Sequence, residues 1–157
     1  IKVAAASPMI KVADAEYNAG KVIECMKKAA EKGVKLLVFP ELTLTGCSCY
    51  DLIGHSVILR GAERALERVI QASAGSDMLV IVGLPYAPRG GALYSVAAVV
   101  SDGELLGLVP RSETDGTLFA AADDEGGEET VCGKFDAKYY TDYLTEKYTK
   151  LYNLESV

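Results

Sequence analysis

The order of its periodic segments constrains this chain more than any other feature. Residues 17–32 repeat apolar side chains at the spacing of one helical face. These side chains are Ala19, Val22, Ile23, Met26, Ala29 and Ala30. Asp14 is expected to be the N-cap of this helix, and Gly33 is expected just past its end. Short apolar runs at residues 2–6 and 34–39 flank the helix, so the sequence predicts a strand, a helix and a strand in succession.

The segments that follow extend this alternation. A second helix is predicted over residues 62–73, where Ala62, Ala65, Leu66, Val69 and Ile70 share a face. Three more strands are predicted at residues 78–82, 93–100 and 104–109, the first of them ending at Gly83-Leu84-Pro85. Asp102-Gly103 lies between the last two apolar runs and predicts a hairpin turn. Helices interleaved with a mostly buried sheet predict an α/β layered domain.

The character of the chain changes after Arg111. Residues 112–130 contain acidic residues and no basic residue, which predicts a solvated loop because clustered like charges resist packing. The tail from Lys138 onward places Tyr140, Leu144, Tyr148, Leu151 and Tyr152 on one side of a helix. We therefore expect a domain at residues 1–134 and an amphipathic helical tail at residues 135–157.

The charge balance and the cysteine content exclude several classes of function. Lys and Arg number 16 against 22 acidic residues, a net charge of −6, so we expect neither a nucleic-acid partner nor a membrane partner. The four cysteines do not form the dense framework of a small secreted protein. Reduced thiols and a cytoplasmic location are the corresponding expectations.

Glu41 is the first candidate for chemistry. It directly follows the apolar run 34–39 and Pro40, and so lies at the carboxyl end of a strand expected to be central in the sheet. Ligand sites of open α/β sheets collect at this position. A carboxyl group held there and partly sheltered from bulk water can act as a general base. The structural alternative is that Glu41 caps the following turn or pairs with a surface lysine.

Other arrangements of reactive residues match known sites less well. Gly46-Cys47-Ser48-Cys49 lacks the second glycine of a nucleophile elbow. Cys47, Cys49 and His55 match no common zinc spacing and would need a distant fourth ligand such as Cys132. Arg89-Gly90-Gly91 has neither the spacing nor the Lys-Ser/Thr of a P-loop. We therefore expect no metal and no nucleotide cofactor in this chain.

Five segments together resemble the carbon-nitrogen hydrolase (nitrilase) superfamily. They are Ala4-Ala5-Ala6-Ser7-Pro8, residues 12–18 (VADAEYN), Val38-Phe39-Pro40-Glu41-Leu42 with Thr45-Gly46, Val82-Gly83-Leu84-Pro85, and Asp102-Gly103 before Val109-Pro110. Within the superfamily the resemblance is greatest to the glutaminase domain of glutamine-dependent NAD synthetases. It covers residues 1–111 and continues more weakly to residue 134. The resemblance implies part of an αββα sandwich, a mixed sheet with flanking helices.

The same resemblance implies a catalytic triad of Glu, Lys and Cys. Glu41 matches the general base, and Arg111 stands where the superfamily has its lysine. Ser95 stands where this branch often has Asn, and Cys47 stands where it usually has an aromatic residue. The block that carries the catalytic cysteine is not found, and Cys132 does not match it. These departures imply an impaired enzyme.

The implied reaction is hydrolysis of glutamine, or of another small amide, to supply ammonia for NAD synthesis. ATP and magnesium are then expected only in a separate synthetase domain, which would be the partner of this one. A homo-oligomer is also expected. The alternative is a non-catalytic nitrilase-like fragment that acts as an interaction or oligomerisation domain, since an open sandwich exposes sheet edges and apolar faces.

Overall fold

A computed structural model describes residues 1–88 and 92–111 of the chain. They form a five-stranded sheet with two long helices and one 3₁₀ helix. In chain order the elements are β1 (Val3–Ala5), α1 (Ala15–Glu31), β2 (Leu36–Val38), the 3₁₀ helix Cys47–Gly54, α2 (Ser56–Ala72), β3 (Leu79–Tyr86), β4 (Tyr94–Ser101) and β5 (Glu104–Pro110). The predicted acidic loop at residues 112–130, the predicted helical tail and Cys132 lie outside the described residues.

Helix α1 begins and ends where the sequence predicts. The Asp14 side chain accepts a hydrogen bond from the Tyr17 N–H at 3.0 Å, which satisfies one of the free amides of the first turn. At the other end Gly33 has a φ of 69°, a left-handed conformation that glycine adopts without a steric penalty. The Gly33 N–H donates to Ala30 and the Val34 N–H donates to Ala29, which is the Schellman pattern. Both predicted caps are confirmed.

The strands lie in the order β1-β2-β3-β4-β5. β1, β2 and β3 are mutually parallel, whereas β4 and β5 are antiparallel to their neighbours. β2 therefore lies inside the sheet, as predicted for the strand that precedes Glu41. The turn at Asp102-Gly103 joins β4 and β5, which confirms the predicted hairpin.

The predicted end of β3 at Gly83 is wrong, because the strand continues to Tyr86. Pro85 lies opposite Ser95 of β4 in this extension. The Ser95 carbonyl accepts a hydrogen bond from the Arg111 N–H at 2.9 Å, so the polar backbone groups of Ser95 face β5 and not β3. The pair of Pro85 and Ser95 therefore needs no backbone N–H from residue 85, and a proline is tolerated there.

The predicted start of α2 at Ala62 is also wrong, because the helix begins at Ser56. Gly61 lies inside it, where an added Cβ would be 3.8 Å from the Ala15 side chain of α1. The low helix propensity of glycine is thus offset by close packing of the two helices. Neither α1 nor α2 combines the length and the apolar character that a bilayer-spanning helix requires.

The core lies between the two helices and one face of the sheet. Val80, Val82 and Leu84 of β3 alternate toward the helices and are fully buried. Leu79 and Ile81 of β3 lie on the opposite face of the sheet. They belong to a smaller apolar cluster with Leu36, Val99 and Leu106. No helix of the described residues covers this side, which we call the second face of the sheet. It carries the candidate site.

Candidate functional site

A short segment after β2 carries Glu41 toward β3. The Phe39 N–H donates to the Ile81 carbonyl at 2.9 Å, which holds the chain against β3 as it leaves β2. Residues 41–45 then turn, and the Leu44 N–H returns to the Gly83 carbonyl at 3.1 Å. Phe39 is buried in the core. Backbone hydrogen bonds to β3 thus anchor both sides of the turn that presents Glu41.

Gly83 allows this turn to lie directly on β3. A Cβ at position 83 would lie 2.5 Å from the Leu42 nitrogen, 2.8 Å from the Glu41 Cα and 2.8 Å from the Pro40 oxygen. All three atoms belong to backbone, which cannot move aside as the end of a flexible side chain can. Glycine is therefore required for the close approach of the two segments.

The carboxylate of Glu41 meets two donors from the antiparallel half of the sheet. The Ser95 hydroxyl donates to Glu41 Oε1 at 2.6 Å. Arg111 Nη1 lies 3.4 Å from the same oxygen, at the long end of hydrogen bonding, and also forms an ion pair with it. Ser95 lies on β4 and Arg111 directly follows β5, so three segments distant in sequence meet at one carboxylate.

A cavity of about 350 Å³ opens beside this carboxylate on the second face. It is lined by Val38, Phe39, Pro40, Glu41, Ile81, Gly83, Ser95, Val96, Ala97, Val109, Pro110 and Arg111. Its wall is mainly apolar, and the polar side chains in it are Glu41, Ser95 and Arg111. A mainly apolar cavity with a few convergent polar groups is the usual form of a small-molecule site.

The structure brings together the two residues predicted for the site, Glu41 and Arg111. The expected shelter from bulk water is not provided by the described residues, because the Glu41 side chain is 47% exposed and the Arg111 side chain 32%. The reason is that no further layer formed by residues 1–88 and 92–111 covers the second face there, and Glu41 lies on a turn above it. The structural alternative is a Glu41 that caps the following turn or pairs with a surface lysine. Among the described residues its carboxylate instead contacts Ser95 and Arg111.

The other reactive residues named from the sequence lie elsewhere. Cys47 and Cys49 are in the 3₁₀ helix, where the Cys49 thiol is buried and donates to the Thr45 carbonyl at 3.2 Å. His55 follows that helix and is exposed. Across residues 1–88 and 92–111, no three of the His, Cys, Asp and Glu side chains are grouped as metal ligands. None of the residues that line the cavity is a cysteine.

Comparison with known proteins identifies the family. The sequence profile described as carbon-nitrogen hydrolase matches residues 2–141. The chain belongs to the carbon-nitrogen hydrolase family. Among its relatives is the glutamine-dependent NAD(+) synthetase of Mycobacterium tuberculosis, 34% identical over 151 residues, which cover 92% of this chain and 22% of that protein. This carbon-nitrogen hydrolase chain thus spans about a fifth of the length of the curated relatives it matches.

Solved structures show the same fold. A glutamine-dependent NAD(+) synthetase from Cytophaga hutchinsonii matches with a TM-score of 0.72 at 22% identity, over 79% of this chain and 22% of that one. An amidase of the nitrilase superfamily from Nesterenkonia AN1 matches with a TM-score of 0.66 at 19% identity, over 78% of this chain and 48% of that one. The predicted nitrilase-like α/β fold is confirmed. The described part of this carbon-nitrogen hydrolase supplies one sheet and one helical layer.

Two residues of the site were not predicted as such from the sequence. From the sequence, Ser95 is only a departure from the family pattern, because its contact with Glu41 depends on strand register. The sequence places Gly83 at the end of a strand. A signal for Gly83 did exist, because a glycine inside an otherwise apolar, β-branched strand marks a close approach of other backbone.

Proposed function

We propose that this chain hydrolyses the side-chain amide of glutamine, and so supplies ammonia for NAD synthesis as the amidohydrolase portion of a longer glutamine-dependent NAD synthetase. The observation that carries the proposal is the Glu41 carboxylate at the cavity, in contact with the Ser95 hydroxyl and the Arg111 guanidinium. The family and the names of the relatives support the choice of amide.

In this proposal Glu41 is the general base and Arg111 stabilises negative charge on the tetrahedral intermediate. A cysteine thiol transfers its proton to Glu41 and its sulfur attacks the amide carbon. The carbon–nitrogen bond then breaks, and ammonia leaves with the proton that Glu41 returns. Water, deprotonated by Glu41, hydrolyses the thioester and releases glutamate and the free thiol. Arginine keeps the positive charge of the family's lysine but transfers protons poorly, which supports an impaired turnover.

The nucleophile in this scheme is not one of the described residues that line the cavity. Cys25, Cys47 and Cys49 are the free cysteines of the described residues, and none of them lines the cavity. Cys132 lies outside the described residues, so its part in the reaction stays a prediction. A cysteine carried by another segment of the longer protein would serve equally.

The proposed partner is a synthetase domain that consumes the ammonia, and ATP and magnesium belong to that domain. The relatives carry the name of such a synthetase and are much longer than this chain, which supports the arrangement. We place the reaction in the cytoplasm. The four cysteines lack the dense spacing of a small secreted disulfide framework, which supports a reducing compartment.

A glutaminase assay tests the proposed function. Wild-type chain is compared with Glu41→Gln, which keeps the shape of the side chain and removes the base, and with Glu104→Gln as a matched control. Glu104 is exposed at the start of β5 and lines no part of the cavity. We expect glutamate release to fall by at least about 100-fold in Glu41→Gln and to stay unchanged in Glu104→Gln. Equal turnover in all three proteins contradicts the assigned role of Glu41.

A second candidate function is a non-catalytic interaction or oligomerisation domain. The exposed apolar side chains Leu105 and Val109 on β5, 40% and 43% exposed, favour it. A homo-oligomer is the partner that this candidate implies. Sedimentation of a strictly monomeric species, together with glutamine turnover, would leave only the first candidate.

A further inference from the structure

We propose that Ser95 is a positioning residue for Glu41, which holds one carboxylate oxygen and leaves the other to accept the proton. The catalytic part of this inference rests on the proposed function. The hydrogen bond between Ser95 and Glu41 does not rest on the proposed function, since it is present in the chain without substrate.

Ser95 is the rigid member of the pair. It is 3% exposed, lies in β4 between β3 and β5, and its carbonyl accepts the Arg111 N–H at 2.9 Å. Glu41 lies on a turn with its side chain 47% exposed, so few packing contacts restrict its rotamers. The hydroxyl of Ser95 therefore fixes the carboxylate, and not the reverse.

The distances identify Ser95 as the stronger of the two donors. The separation between Ser95 Oγ and Glu41 Oε1 is 2.6 Å, within the range of a hydroxyl bound to an ionised carboxylate. Arg111 Nη1 reaches the same oxygen only at 3.4 Å, and exposed ion pairs of this kind restrict a side chain weakly. Of the two contacts that the described residues make to this carboxylate, loss of the hydroxyl would leave only the longer one, to Arg111.

Both donors bind Oε1, and Oε2 makes no hydrogen bond to the residues that the structure describes. A general base needs a lone pair that a substrate or thiol proton can reach. The arrangement therefore assigns proton transfer to Oε2, while Oε1 anchors the group. A base displaced by about 1 Å can lose about 100-fold in rate, so an anchor of this kind affects kcat more than KM.

Three substitutions on β4 test the inference. Ser95→Ala removes the hydroxyl, and Ser95→Thr keeps it. Ser101→Ala is the matched control, because Ser101 is 1% exposed on the same strand and its hydroxyl has no partner among the described residues. We expect Ser95→Ala to lower kcat for glutamine about 10- to 100-fold with KM changed less than about threefold, and we expect near wild-type kcat in the other two.

A second measurement does not depend on turnover. The side-chain carboxyl ¹³C resonance of Glu41, assigned by its absence in Glu41→Gln, is recorded at one neutral pH for each protein. We expect it to move in Ser95→Ala and to stay in place in Ser101→Ala, with both variants retaining the wild-type circular dichroism spectrum.

The outcomes separate this inference from the proposed function. Turnover that depends on Glu41 but is equal in Ser95→Ala and Ser101→Ala overturns the role of Ser95 and leaves the proposed function intact. Absence of turnover in every protein overturns the proposed function. The carboxyl resonance of Glu41 then tests the hydrogen bond from Ser95. A change in its chemical shift that is specific to Ser95→Ala supports this hydrogen bond, and an unchanged resonance refutes it.

Discussion

At the scale of single residues, the site depends on one carboxylate and on the small residues that make room for it. Glu41 reaches the cavity because the chain leaves β2 after Val38 and Gly83 lets the next turn lie against β3. Neither feature takes part in proton transfer or bond cleavage. Both decide whether an acidic side chain at this position faces a cavity or bulk solvent.

Substitution of Gly83 tests this arrangement. Gly83→Ala places a methyl group against the backbone of Pro40, Glu41 and Leu42, at distances that backbone cannot relieve without moving. We expect the free energy of unfolding to fall by about 3 kcal/mol, and glutamine turnover to fall with it because the turn that carries Glu41 is displaced. Urea denaturation measures the first effect.

The control for this prediction is Gly20→Ala in α1. A Cβ there would meet no atom within 4 Å, and alanine favours a helix over glycine. The same chemical change should therefore raise the free energy of unfolding by up to about 1 kcal/mol. Equal destabilisation by both substitutions would show that close approach at Gly83 is not the cause.

Arg111 gives a second prediction at this scale. If its charge stabilises the tetrahedral intermediate, Arg111→Met should lower kcat by about 100-fold or more, while Arg111→Lys should keep kcat within about tenfold of wild type or raise it. Steady-state kinetics with glutamine measure both. Retention of full activity in Arg111→Met would show that the positive charge has no part in the reaction.

At the scale of secondary-structure elements, the parallel part of the fold was readable from sequence and the antiparallel part only in outline. The caps of α1 follow from local chemistry, since Asp14 and Gly33 act within one turn of the helix. The interior position of β2 follows from its nearly continuous apolar run, which is typical of a strand buried on both faces. The start of α2 and the end of β3 do not, because packing against α1 and pairing with β4 outweigh the local signals of Gly61 and Pro85.

The site was only half predictable for the same reason. The hairpin turn pairs Ser101 with Glu104, and a regular ladder from there would place Pro110 opposite Ser95. A bulge between Val99 and Val100 shifts the register by one residue, so that Val96 pairs with Pro110 and Arg111 follows beside Ser95. A one-residue shift exchanges the two faces of a strand. Gly107 inside the apolar run of β5 is a local signal of such a bulge, but it does not show which way the register shifts, and so it does not predict that Ser95 and Arg111 share Glu41.

Asn18 gives a prediction at this scale, because it joins α1 to the loop that precedes this helix and to the turn that carries Glu41. Its side chain is fully buried, accepts from the Lys11 N–H at 2.8 Å, and donates to the carbonyls of Lys11 and Leu44 at 2.8 and 3.1 Å. Asn18→Ala would leave these backbone groups without their partner. We expect a loss of about 3 kcal/mol in the free energy of unfolding.

Gln71→Ala is the comparison for Asn18→Ala, since Gln71 is exposed near the end of α2. An exposed helical position should change the free energy of unfolding by no more than about 0.5 kcal/mol. Urea denaturation of both variants measures the difference. If Asn18→Ala is as mild as Gln71→Ala, the loops are held by other contacts.

At the scale of the whole molecule, the described residues form two layers where the family fold has more. The helices cover one face of the sheet, and the second face holds the smaller apolar cluster together with the cavity. Val109, which lines this cavity, is 43% exposed there. β1 forms one edge of the sheet, and no strand of residues 1–88 and 92–111 pairs with its outer side. An edge of this kind is a template for pairing with another chain.

The direction of the backbone groups on β1 makes this testable. The Lys2 carbonyl accepts from the Lys35 N–H and the Ala6 N–H donates to Val38, both at 2.9 Å, so Lys2, Ala4 and Ala6 face β2. Val3 therefore faces outward. Val3→Pro removes an outward N–H and preserves the pairing with β2, whereas Ala4→Pro disrupts that pairing.

We expect the wild-type chain to self-associate through this edge, and Val3→Pro to weaken the association by roughly tenfold or more while its unfolding transition stays near that of wild type. Ala4→Pro should instead lower the free energy of unfolding by about 3 kcal/mol, because an inward proline removes a ladder hydrogen bond and strains the strand. Analytical ultracentrifugation over a range of concentrations measures the association. Because edge pairing relies on main-chain hydrogen bonds, an unchanged dissociation constant in Val3→Pro would assign any oligomer to the exposed apolar side chains of β5 and not to β1.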